Sequence, residues 1–160
     1  MKLSLIIPTL NRANQLDACL LKIFKAKLQN DISKLEIEVI VVDQSLDEQT
    51  YKLCKKYKLK YKKLKKIGLS RARNVGIRES IGDYLIFLDD DIHINEDYFI
   101  QIQEKLIEKS NIDCLTGRII NLENQKIYSR HQIVDSREIN YKNFDIVLSS
   151  GTIIKQSFFD

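Results

Sequence analysis

The 160-residue chain predicts an α/β fold built on a mainly parallel central sheet, and three observations predict it. Leu3 to Ile7, Ile37 to Val42 and Tyr84 to Leu88 are short, nearly unbroken apolar runs, the pattern of strands buried on both faces. Stretches with helical periodicity follow the first run and precede the third, so strands alternate with helices. Each run stops abruptly in polar residues, at the strand ends where open α/β sheets bind ligands.

Taken in order, Pro8 withholds a backbone donor and is expected to end the first strand. Leu16, Leu20, Ile23 and Phe24 recur at helical spacing, so a helix running to about Leu28 lays one face on the sheet. The second strand ends in Asp43. Ser45 with Glu48 three residues on reads as a capping box opening the next helix. Tyr61 to Ile67 is a Lys-rich strand suited to a sheet edge, where lysine discourages pairing with other chains.

Ser70 is expected to open a helix through Arg78, with Gly82 as its terminator. Ala72 and Gly76 make one side of that helix small enough for close approach to the sheet, while Arg71, Asn74 and Arg78 share another side. Arg71 and Arg73 in the first turn suit anions. Asn95 is expected to cap a helix beginning at Glu96 and turning Phe99, Ile102, Leu106 and Ile107 inward. Asp113 to Asn121 reads as a strand with a hairpin through Asn124 to Tyr128. Phe144 to Leu148 is apolar, Ser149 to Gly151 turn the chain, and Thr152 to Phe159 begin a further element.

At 44% hydrophobic and 30% charged residues, the composition suits one soluble domain over residues 1–160. No apolar run approaches the roughly 20 residues a membrane span needs. Met1 to Ile7 is too short for the core of a signal peptide. Cys19, Cys54 and Cys114 are odd in number and widely spaced, which excludes a disulfide framework and a paired zinc site and favours a reducing cytoplasm. The net charge of +4 is concentrated between Lys52 and Lys66. That cluster reads first as a solvated helix and edge strand, and its charge also suits anionic lipid headgroups at the inner face of a membrane. With aromatic interleaving limited to Tyr57 and Tyr61, it matches no nucleic-acid module.

The most informative stretch is Asp89, Asp90, Asp91, three carboxylates directly after a strand. Neighbouring like charges raise one another's proton affinity unless a cation or a donor network neutralises them, and a divalent metal is the simplest remedy. Together with Pro8, Thr9, Leu10, Asn11, Arg12, then Asp43, Gln44, Ser45, then Gly68 to Gly76, the set resembles family 2 glycosyltransferases of the GT-A fold, over nearly the whole chain. The resemblance implies a Rossmann-like α/β/α sandwich that binds a nucleoside-diphosphate sugar and transfers the sugar, with inversion, to a glycan or lipid-linked acceptor. It implies that Pro8, Thr9, Asn11 and Arg12 form the loop at the base, and that Asp43 hydrogen-bonds the base. Arg73 and Asn74 lie near base or diphosphate, Asp90 contacts the ribose, Asp91 ligates Mn2+ or Mg2+, and Asp89 supports it. Gln44 departs from the residue many members carry there, which leaves base preference open.

A general base is expected beyond Asp160, so the acceptor side is expected to be largely missing and the domain C-terminally truncated. Asp135 and Glu138 have no motif to recommend them as a base, and His93 and His131 read as exposed loop residues. Phe158 and Phe159 suggest a homodimer through an exposed apolar patch. Two rivals are a nucleotide-binding or assembly module without turnover, and a phosphotransferase or receiver domain using the acidic cluster. A sugar nucleotidyltransferase would want a Gly-rich loop after the first strand, and Pro8 to Arg12 contains no glycine.

Overall fold

The computed structural model describes residues 1–29, 34–108, 112–117, 119–121, 123–124, 126 and 150–159. In chain order the elements are β1 (Lys2–Thr9), α1 (Ala13–Gln29), β2 (Glu36–Asp43), α2 (Gln49–Lys56), β3 (Lys60–Lys63), α3 (Leu69–Glu79), β4 (Tyr84–Phe87), α4 (Tyr98–Glu108), β5 (Cys114–Thr116) and β6 (Thr152–Lys155), followed by a 3-10 turn over Gln156–Phe158. They form one six-stranded sheet in the order β3-β2-β1-β4-β6-β5. The first four strands in that order run parallel, and β6 then enters antiparallel to both β4 and β5. The mainly parallel α/β architecture is therefore the one the apolar runs predict.

Alternate residues of each strand feed two layers. Leu3, Leu5 and Ile7 of β1 pack with Val39, Val41 and Ile86 against Leu16, Leu20 and Ile23 of α1, Cys54 of α2 and Phe99 of α4. On the other face, Ile6, Leu85 and Phe87 pack with Ile77 of α3, and Ile40 and Val42 pack with Ala72. The result is an α/β/α sandwich. Gly76 makes the α3 side tight: a Cβ there would stand 2.3 Å from Ile6 Cγ2, so only a bare backbone fits at this separation.

Chain direction places the site. After β1 the chain moves to β2 and β3 on one side, then returns to lay β4 on the other side of β1. The crevice at the carboxyl ends of β1 and β4 is the switch point where ligands bind in such sheets.

Several local expectations are corrected. Pro8 does not end β1; it lies within it, opposite Val42. The Ile6 carbonyl accepts from Leu88 N–H on the β4 side, and the ladder to β4 stops there, so the missing donor of Pro8 costs no sheet bond. Ser45 and Glu48 do not form a capping box: α2 starts at Gln49 with no side-chain cap, and Ser45 Oγ instead accepts from Asn11 N–H. The strand β3 is the expected edge strand but stops at Lys63.

The helix α3 begins at Leu69, one residue before the expected Ser70, and ends at Glu79 with Ser80, not Gly82, as the capping residue. Gly82 is needed for a different reason, since a Cβ would lie 2.5 Å from Ser4 Oγ, which accepts the Gly82 N–H. The helix α4 starts at Tyr98, with Asn95 offering its carbonyl to Tyr98 N–H in a preceding turn, and Ile107 is 54% exposed instead of inward. Among the described residues from Asp113 to Asn121 the strand is Cys114–Thr116. Asn121 N–H bonds the Lys126 carbonyl, while the rest of the expected hairpin to Tyr128, Phe144 to Leu148, His131, Asp135 and Glu138 lie outside the described residues.

Candidate functional site

Three loops leave the carboxyl ends of β1, β2 and β3 and are tied into one unit. Asn11 adopts a left-handed backbone at φ 54°, which asparagine tolerates better than most residues. That turn lets its N–H reach Ser45 Oγ at 2.7 Å while its Oδ1 accepts from Leu46 N–H at 3.3 Å. Gln44 N–H bonds the Thr9 carbonyl, and Gln44 Oε1 accepts from Gly68 N–H at 2.6 Å.

Beneath this unit Asp43 is fully buried, and its carboxylate is saturated. Oδ1 accepts from Ser45 N–H at 2.8 Å, and Oδ2 accepts from the Tyr61 hydroxyl at 2.8 Å and Lys63 Nζ at 2.9 Å. Burial pushes the carboxyl's pKa up, but the hydrogen bonds from Ser45, Lys63 and Tyr61 outweigh it and hold Asp43 below the usual carboxylate range.

The acidic tip after β4 is built differently. Asp90 is sealed: Thr9 Oγ1 donates to its Oδ2 at 2.7 Å and Arg12 Nη1 to its Oδ1 at 2.9 Å. Arg12 Nη1 also donates to Asp91 Oδ2 at 3.0 Å. The Asp91 side chain is 47% exposed and that of Asp89 43%, against 5% for Asp90, so Asp91 and Asp89 face solvent and Asp90 does not. Asp89 accepts from Arg73 Nη2 at 3.3 Å, and the Arg73 guanidinium also lies over the Phe87 ring. Burial raises the Asp89 pKa; Arg73 works against that rise, while Asp91 and Asp90 add to it. The same charges are felt one layer down, where burial and then Asp90, Asp91 and Asp89 push the Cys19 thiol up to about 12 and leave it inert at neutral pH.

Pro8, Thr9, Leu10, Arg12, Gln44, Ile67, Gly68, Leu69 and Asp89 to Asp91 line one open cleft of about 330 Å³. Of the residues singled out in the sequence, Pro8, Thr9, Arg12, Asp89, Asp90 and Asp91 thus meet in it, with Arg73 bracing Asp89 from α3. Asn11 holds the loop, Asp43 lies underneath, and Asn74 is exposed and not among the lining residues. His93 is exposed, as expected.

Sequence reasoning missed the Ile67–Leu69 wall, the amide of Gln44 as a tie, and Ser150, whose Oγ accepts from Asp89 N–H at 2.9 Å and is buried. A strand-to-helix loop ending near Gly68 was the available signal for the first. Ser150 lies 61 residues from Asp89, and nothing local marks it.

Among the described residues, no three His, Cys, Asp or Glu side chains converge to hold an ion on protein ligands alone. The donor set nonetheless fits Mg2+ or Mn2+ in the mode in which one or two carboxylates bind the ion and phosphate oxygens and waters complete the shell. Asp91 offers a solvent-facing carboxylate with no described partner on Oδ1, beside Arg12, whose half-exposed guanidinium borders the same cleft.

A switch-point cleft bordered by an arginine and an acidic tip defines an α/β protein with a ligand site at its strand ends. The sequence model of Glycosyl transferase family 2 matches residues 4–157, and the chain belongs to that family. Glycosyltransferase GlyA of Streptococcus pneumoniae is 28% identical over 141 residues, covering 84% of this chain and 19% of GlyA. The poly(ribitol-phosphate) beta-N-acetylglucosaminyltransferase TarS of Staphylococcus aureus is 33% identical over 103 residues, 61% of this chain and 17% of TarS. The chain therefore spans about a fifth of the length of these relatives.

The crystal structure of TarS 1-349 in complex with UDP-GlcNAc superposes with a TM-score of 0.79 at 26% identity, covering 99% of this chain and 46% of that one. A mannosyltransferase from Pyrobaculum calidifontis in complex with GDP-Man and Mn2+ shares the fold, with a TM-score of 0.59 at 21% identity over 74% of this chain and 35% of that one. Among the described residues no helix is long and apolar enough to cross a membrane.

Proposed function

We propose that this chain is the donor-binding part of a glycosyltransferase that moves a sugar, with inversion and with help from a divalent ion, from a nucleoside-diphosphate sugar to a glycan or lipid-linked acceptor. The observation that carries this is the division of labour at the acidic tip: Asp90 is sealed against Thr9 and Arg12, and Asp91 stands half-exposed at the mouth of the switch-point cleft. The bound UDP-GlcNAc of the TarS structure supports a uridine nucleotide as the first ligand to test.

In the proposed transfer, the bond between the sugar's anomeric carbon and the β-phosphate oxygen breaks, and an acceptor hydroxyl oxygen bonds that carbon from the opposite face. The hydroxyl proton passes to a base assigned to none of the described residues. Negative charge collects on the departing diphosphate as the sugar becomes oxocarbenium-like. Mg2+ or Mn2+, when bound, neutralises part of that charge.

Asp91 would hold the ion. Arg12 borders the cleft where the diphosphate would lie, and Arg73 backs Asp89 from α3, both with charge they cannot lose at any working pH. Pro8, Thr9, Gln44 and the Ile67–Leu69 wall shape the nucleoside end of the cleft. Asp43, with both oxygens committed to protein donors, serves from beneath by bracing the loop around Ser45, which the contacts favour over a direct bond to the base.

Isothermal titration calorimetry with UDP and Mn2+ tests the proposal on the chain as it stands. Wild type is expected to bind UDP in a Mn2+-dependent manner, and Asp91→Ala to lose that dependence. Equal affinity in the variant, or no UDP binding at all, would refute the assignment. Binding without release of UDP when acceptors are supplied would point to an assembly module.

A further inference from the structure

The Arg12 contact carries more than neutralisation, because one nitrogen serves two carboxylates. Nη1 alone lies 2.9 Å from Asp90 Oδ1 and 3.0 Å from Asp91 Oδ2. Thr9 takes the other oxygen of Asp90, and Arg73 is already committed to Asp89 from the opposite side. Arg12 is thus the cation shared by the buried Asp90 and the half-exposed Asp91.

Its backbone is fixed, since the Arg12 carbonyl accepts from Leu16 N–H in the first turn of α1, but 48% of its side chain is exposed and borders the same cleft. A held backbone with an exposed side chain can pivot the guanidinium between two sets of oxygens. Guanidinium prefers a forked contact with phosphate to two single contacts from one nitrogen.

We propose that Arg12 is the resident cation of the acidic tip, released by the nucleotide's diphosphate. The inference rests on the donor-site assignment above. A divalent ion approaching Asp91 meets a guanidinium on Oδ2 and is repelled by it. A diphosphate that draws Arg12 onto its own oxygens frees Asp91 and adds oxygen ligands of its own, so the two ligands bind cooperatively. By linkage the coupling is reciprocal: the ion must favour the nucleotide by the same factor. Arg12 is here a positioning residue, setting the order in which the cleft fills.

Electron paramagnetic resonance of free Mn2+, titrated with and without saturating UDP, reads the coupling directly and needs no turnover. In wild type, UDP is expected to tighten Mn2+ binding at least tenfold, about 1.4 kcal/mol. In Arg12→Gln, Mn2+ alone should bind about tenfold more tightly than in wild type, and the tightening by UDP should fall to threefold or less. Arg12→Lys, which keeps the charge and loses the fork, should fall between the two, and it alone decides the matter should Arg12→Gln fail to give a cooperative melt.

A variant that gains Mn2+ affinity equally with and without UDP would show a simple through-space charge effect and overturn the proposal. So would variants with unchanged coupling. A wild type that binds UDP but never Mn2+ would instead sink the metal role of Asp91, and this inference with it. The two failures are therefore distinguishable.

Discussion

β2 ends in Asp43, and β4 is followed after Leu88 by Asp89 to Asp91, but the two acidic ends are built differently. Asp43 is fully buried and accepts three hydrogen bonds, one from a lysine ammonium, which hold its pKa low. Asp89 is held above the usual carboxylate range by burial, with Asp90 and Asp91 adding to the rise against Arg73. Asp91 has one described partner and is half-exposed. A carboxylate whose charge is fully answered within the protein stabilises the fold. One whose charge is only partly answered is held ready for a ligand, at a cost the rest of the sheet offsets.

The largest effect expected from this contrast is on stability at β2. Asp43→Ala removes three donors' partner at a buried site and should cost about 3 kcal/mol in urea unfolding. A loss below about 1 kcal/mol would erase the distinction. Next, Asp91→Ala should weaken Mn2+-dependent UDP binding by about a hundredfold, roughly 2.7 kcal/mol, while its melting temperature stays within about 2 °C of wild type because the side chain is exposed. A large drop in melting temperature would make Asp91 structural instead.

The pH dependence sharpens the comparison through its signs. The Asp43 carboxyl lies below its ordinary 3.8 in the fold, so its stabilisation is present above that pH and is lost as pH falls through the folded value. Asp89 is raised, so its charged form is penalised in the fold, and that penalty is relieved as pH falls. Asp43→Asn should therefore flatten the acid limb of a stability curve, and Asp89→Asn should change stability at neutral pH by no more than about 0.5 kcal/mol. A single-donor test of the same brace is Tyr61→Phe, which removes one of the Asp43 donors and should cost about 1 kcal/mol.

Much of this was legible in the chain. The buried strands announced themselves because parallel strands covered on both faces need unbroken apolar runs, and Leu3 to Ile7 and Ile37 to Val42 are such runs. The acidic tip was legible because three carboxylates in a row after a strand need a cation or a donor network to neutralise them, and Thr9, Arg12 and Arg73 supply donors. Local punctuation was less reliable. Ser45 and Glu48 have the spacing of a capping box, but Asn11, 34 residues earlier, offers Ser45 a donor that wins. Asn95 and Glu96 look like a helix start, but the chain first makes a turn through Asn95 and Tyr98. Gly82 looks like a helix terminator, but its missing side chain answers Ser4 on a neighbouring strand.

By itself the sequence determined the strands, the amphipathic helices that cover them, and the charged residues that end them, because each depends on hydrophobic period and local chemistry within a few residues. Tertiary structure alone decided how those charges are shared. The return of β4 to the far side of β1 brings Asp90 to Thr9 and Arg12, and the antiparallel entry of β6 brings Ser150 under Asp89. Whether an aspartate is sealed within the fold or left half-exposed at the cleft depends on donors arriving from distant strands, and strand order is not written in any local period.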